Sequence, residues 1–168
     1  LMHTMYEPKY LENFTDKEKR EIKQILQDVE ADVGATLLKN KKSILIAALR
    51  NDIEVYQRLG ALQSDRDVLL TLATHEGNFT NVTIHPAYRE DRELALALTR
   101  WNHELMTQFS QEFYKDREFA LACVSQQGKL LSRFYDFIED DEIVRAALEQ
   151  DPCAISAAGN SYKNDKEL

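Results

Sequence analysis

The chain has 168 residues, 43% of them hydrophobic, enough to bury one continuous stacked core. Its formal net charge of -8 argues against a general nucleic-acid binder, which needs basic surface to release phosphate counterions. No run approaches the roughly 18 apolar residues of a membrane span, and no cationic stretch ahead of an apolar one resembles a signal peptide. The expected setting is therefore cytoplasmic, without a membrane partner.

Residues 1 to 14 carry Met2, Met5, Tyr6, Pro8, Tyr10 and Phe14 with no usable period and read as an irregular lead-in. From Thr15 a helix is predicted, with Ile22, Ile25, Leu26, Val29 and Val33 on one face and a Thr15/Glu18 capping box at its start. Its apolar phase differs from that of the residues beyond Lys41. Residues 1–40 are accordingly assigned to the lead-in and an N-terminal capping helix.

From Lys41 a phrase restarts every 24 to 26 residues, at 41, 65, 91, 116, 140 and 165. The fullest copies are Asp91-Arg92-Glu93-Leu94-Ala95-Leu96 and Asp116-Arg117-Glu118-Phe119-Ala120-Leu121. Three residues after each start stands Ile44, Val68, Leu94, Phe119 or Ile143. Three and four residues further on come Ala47 and Ala48, Thr71 and Leu72, Ala97 and Leu98, Ala122 and Cys123, Ala146 and Ala147. This is the buried stripe of an amphipathic helix, and its small residues let axes approach closely. Ser64 with Asp67 and Asn164 with Glu167 fit further capping boxes. Acidic residues in a first turn are stabilised by the helix dipole, so the acidic column needs no metal.

Each stripe ends at a polar or turn-forming stretch: Asn51-Asp52, Glu76-Gly77-Asn78, Asn102-His103, Gln127-Gly128 and Asp151-Pro152. A second short helix is predicted after it, as in Ile53–Leu59, Leu105–Phe109 and Leu130–Ile138, with Pro152 suited to a first turn. The copies thus read as helical hairpins of about 25 residues, shorter than tetratricopeptide or ankyrin units of roughly 34 and 33. The fold expected is all-α: tandem helical hairpins over 41–168 stacked as a short solenoid-like array.

The second copy departs from the pattern, because the Thr-, Val- and Ile-rich stretch from Phe79 to Tyr88 has low helix propensity and Pro86 opposes helical geometry at His85. Around this break His75, Phe79, His85, Tyr88, Trp101 and His103 gather within 29 positions, and they are the candidate partner-binding residues. The competing reading is that they fill the gap left by the missing helix. Cys123 falls in the small-residue column and Cys153 opens a second helix; both are expected as free thiols. The basic cluster Lys39-Asn40-Lys41-Lys42 reads as a solvated turn.

No phosphate-cradling glycine loop, H-E-x-x-H, C-x-x-C or glycine-flanked serine is present. Neither a catalytic site nor a bound metal or cofactor is expected. At the C-terminus Asn164-Asp165-Lys166-Glu167-Leu168 repeats an opening and stops, and Leu1 stands where an initiator methionine would. Excision from a longer protein is the expectation.

With its period and capped starts, the stretch from 41 to 168 resembles a family of uncharacterised short tandem helical repeats. Their units read D-x-E-hydrophobic-(x)-hydrophobic-A-(A/V), then a Gly- or Asn-centred turn and a leucine-rich second helix. The resemblance implies occurrence in protists and in bacteria living inside them, in large proteins and secreted effectors, and transfers no catalytic residue. The function expected is a protein–protein interaction module with a protein partner, within a bacterial effector acting in host cytosol. The alternative is an accessory domain positioning a catalytic region that lies outside this chain.

Overall fold

A computed structural model describes residues 7–30, 41–75, 82–100 and 102–163. Every regular element among them is helical, and there is no strand. The chain divides into two compact bodies, Leu1–Gly77 and Asn78–Leu168.

In the first body a 3-10 turn, η1 (Lys9–Leu11), seats Leu11 fully inside. Helix α1 (Asp16–Glu30) comes next, with the capping box in place: Glu18 N–H donates to Thr15 Oγ1 at 3.2 Å and Thr15 N–H to Glu18 Oε1 at 2.9 Å. These bonds hold the Glu18 carboxyl below its ordinary value, the Thr15 backbone donor being the main cause. Ile22, Ile25, Leu26 and Val29 are buried as their spacing predicts; Val33 lies outside the described residues. Helix α2 (Lys42–Asn51) lies against η1, where the Asn51 amide donates to the carbonyls of Tyr10 and Glu12. After Asp52 come the 3-10 segments η2 (Ile53–Arg58) and η3 (Gly60–Ser64), then α3 (Arg66–Leu72). Helix α1 touches α2, η2 and η3. At Gly60 the backbone takes φ +53°, and an added Cβ would crowd Val29 at 3.1 Å, so the turn joining η2 to η3 favours glycine twice over.

The second body begins, in its described part, with a non-helical stretch whose Val82 and Ile84 are buried. The amide of Gln108 clamps it, donating to Val82 O and accepting from Ile84 N–H. A short turn η4 (Pro86–Tyr88) leads into α4 (Arg92–Thr99). After it come η5 (His103–Gln108), η6 (Gln111–Lys115), α5 (Arg117–Gln126), η7 (Gly128–Arg133), η8 (Tyr135–Phe137), α6 (Asp141–Gln150), η9 (Pro152–Ala157) and a last turn, α7 (Asn160–Lys163). Helix α4 packs on α5 and α5 on α6, while η7 packs on η9. Stacked Phe113 and Phe119 rings, 4.5 Å apart, and the tilted Phe134 ring fill the interior beneath η6 and η7.

Four helix starts share one chemistry. Asp65, Asp91, Asp116 and Asp140 are the N-caps of α3, α4, α5 and α6, each accepting a first-turn backbone N–H. Ser64, predicted as the cap of α3, is instead the last residue of η3. Both neighbours are good cap formers, and the carboxylate takes the position. The Asn164/Glu167 box and the start at 165 lie outside the described residues. At three starts the residue after the N-cap position is a cation that reaches the next start in chain order. Lys42 meets Asp65 and Asp67; Arg92 meets Asp116; Arg117 meets Asp140 and Glu142.

After α2, α4, α5 and α6 the next helical segment is 3-10: η2, η5, η7 and η9. The first helix ends on a single extended residue, Asp52, Gln127 or Asp151, whose N–H still closes onto the helix four residues back. Asp52, Asn102 and Asp151 then cap the segment after them by accepting from the residue two further on. The buried stripe keeps the expected seventh position after the start, at Ala48, Leu72, Leu98, Cys123 and Ala147, and Thr99 and Val124 at the eighth are buried as well, while Ala97, Ala122, Ala146 and Leu148 are half-buried. Ile44 is likewise half-buried and Leu45 takes the interior.

Candidate functional site

Two of the six residues gathered around the break, Phe79 and Trp101, lie outside the described residues. His75 belongs to the first body and His85, Tyr88 and His103 to the second. The half-buried His75 ring places Nε2 at 2.6 Å from Leu49 O. A carbonyl only accepts, so Nε2 carries the proton and ties the end of α3 to α2. The exposed His85 caps η4, its Nδ1 accepting from Ala87 N–H at 3.1 Å. Tyr88 meets it edge to face, centroids 6.1 Å apart. The structure thus brings His85 and Tyr88 together. His103, half-buried at the start of η5, joins neither by a hydrogen bond or ring contact among the described residues.

A different surface forms where η6, η7 and η8 meet. Tyr114, Lys115, Ser132, Arg133, Tyr135 and Asp136 line a concavity of about 360 Å³. A 3-10 segment has three residues per turn, so Phe113 faces inward while Tyr114 and Lys115 are left on the surface side. In η7 Leu130 and Leu131 are buried and Ser132 and Arg133 are not. Phe134, fully buried at φ -111° and ψ 69°, breaks the helix, and Tyr135 emerges 79% exposed. Among the described residues it is the only large hydrophobic side chain that stands open.

Tyr114 leans on Phe134 at 6.2 Å, which makes it the supported wall of this concavity. Burial raises its phenol pKa, opposed in part by the charge of Arg133, so it stays protonated and able to donate through the neutral range. Among the described residues neither Lys115 nor Arg133 forms an ion pair. Sequence pattern alone hides this surface, because Leu130–Ile138 reads as one continuous helix. The signal available was Tyr135, an aromatic between Phe134 and Phe137 beside Arg133 and Asp136.

The arrangement suits binding: an open aromatic, a supported phenol and two cations with no ion pair among the described residues. Cys123 is buried and its thiol is pushed up to about 12, chiefly by burial, while Cys153 is exposed; both are free. Among the described residues no group of three or more His, Cys, Asp or Glu could hold a metal ion, and no helix is long and apolar enough to cross a membrane. No protein-family model matches the chain, nor does any curated protein or solved structure.

Proposed function

We propose that the chain is a protein-interaction module, built as a short solenoid-like stack of copies that each contribute an α-helix and a 3-10 arm, with α1 as the N-terminal cap. The recurring Asp caps, the cations reaching forward to the next start and the row-on-row contacts within each body support this architecture. The observation that carries the binding reading is Tyr135, 79% exposed in the lining of a concavity whose two cations form no ion pair among the described residues. Large aromatics concentrate binding energy at interfaces, and this one lines a concavity together with a second tyrosine and two cations. Action within a host cytosol belongs to the same reading and rests on the resemblance to effector-borne repeats.

A photo-reactive phenylalanine analogue at position 135, with the same analogue at Arg145 on α6 as control, tests the reading in host-cell lysate. A discrete protein adduct at 135 that is absent at 145 is expected. Equal, diffuse labelling at both positions sinks it.

A further inference from the structure

We propose that the concavity takes an acidic, extended protein segment, with a carboxylate held by Lys115 and Arg133 and a neighbouring apolar side chain laid against Tyr135. This deepens the interaction-module reading and rests on it. Several cations elsewhere among the described residues are matched to acids. Lys19 is neutralised by Glu7, Lys42 by Asp65 and Asp67, Arg92 by Asp116, Arg117 by Asp140 and Glu142, and Arg145 by Asp141. Lys115 and Arg133 stand together without an acidic partner among the described residues, and Asp136 is the only anion in the lining. The lining is therefore net positive on a chain of net charge -8.

A local inversion of this kind selects its ligand. A guanidinium presents paired donors that match a carboxylate, and the Lys115 ammonium adds a second attractive charge. The protonated Tyr114 phenol offers a further donor beside them. A polyanion such as nucleic acid extends beyond one Debye length, about 8 Å at physiological salt, and meets the acidic remainder of the surface. A short segment with one or two carboxylates stays within the positive patch. A second copy of the chain is disfavoured because each copy brings the same net negative charge.

The test uses fluorescein-labelled heptapeptide pools with two Glu flanking a central Phe or Leu and Gly, Ser or Ala elsewhere, against pools with Lys in place of Glu. Anisotropy is read with the whole chain at two salt concentrations. Preference for the Glu pool, weakened by salt and reduced about tenfold in Lys115→Glu/Arg133→Glu, is expected. Tyr135→Ala should weaken both Glu sub-pools while leaving far-ultraviolet dichroism unchanged. Equal binding of Glu and Lys pools, or a Glu preference untouched by the charge reversal, overturns the proposal. So does a dimer in sedimentation velocity that the charge reversal dissolves. A discrete adduct at position 135 without acidic preference would remove this inference and leave the interaction-module reading standing.

Discussion

Asp140 performs two jobs that substitution can separate. Its Oδ1 caps α6 by accepting from Ile143 N–H at 3.3 Å, and its two oxygens take Arg117 Nη2 and Nε at 3.1 and 2.8 Å. Asp140→Asn keeps a side-chain oxygen at the cap, where Asn and Asp rank equally, and removes the charge; Asp140→Ala removes both. A lost cap costs about 1 kcal/mol, whereas an ion pair to a guanidinium this open to solvent is screened and adds little. The alanine variant should therefore lower stability by about 1 kcal/mol, and the asparagine variant by much less. With a urea slope of about 2 kcal/mol per molar, that is a midpoint shift of roughly 0.5 M, readable by dichroism. If the two variants lose the same stability, charge and not capping is the function of this column; if neither loses any, the helix starts are not where α6 is stabilised.

Gly128→Ala should cost about 2 kcal/mol, because its Cβ would run into the Ala147 carbonyl and lie 3.1 Å from Asp151 Cβ, both fixed by α6. Gly159→Ala meets only the exposed Glu139 side chain, which can swing away, so parallel urea titrations should find it much milder. Asp67 and Asp140 have carboxyls held below the ordinary 3.8, first by hydrogen bonds from Lys42 and Arg117 respectively. A depressed folded value means their stabilisation is complete above 3.8 and fades as pH falls through the folded values, so stability measured between about pH 6 and pH 2 should drop mainly below about pH 4. Because both pairs are open to solvent and screened, Asp67→Asn/Asp140→Asn should remove only a small part of that drop, and an acid limb abolished by the two substitutions counts against the assignment. Cys123 should resist a thiol reagent at neutral pH while exposed Cys153 reacts, giving one titrated thiol per native chain and two after denaturation; two in the native state contradict the burial.

The helical class and the helix starts were legible because each rests on local chemistry. A carboxylate at Asp65, Asp91, Asp116 or Asp140 can cap a helix without any tertiary contact, and the apolar stripe behind it fixes the buried face. The 3-10 character of the second arms was not legible. Over six residues an i, i+3 apolar spacing satisfies both helix types, and the choice is made by the extended residue before the segment and by packing such as that of Gly128 against Ala147. The non-helical course of Val82 to Ile84 agrees with its β-branched composition, but the side chain that clamps it, Gln108, lies too far along the chain to be paired by inspection. Within the candidate site, His75 sets a ring nitrogen against the Leu49 carbonyl, far along the chain, and His85 against the nearby Ala87 N–H. The Tyr114–Tyr135 surface depends on the break at Phe134, a backbone event set by burial of that ring.

The most direct measurement compares partner recovery and melting temperature for the native chain and for Tyr135→Ala and Arg133→Ala. Tyr135 is open to solvent and Arg133 makes no ion pair among the described residues, so both variants should melt within about 2 °C of the native chain, as surface substitutions do. Loss of the protein recovered by the native chain, at unchanged melting temperature, is the predicted result. Undiminished recovery by both variants would contradict a binding face at this concavity.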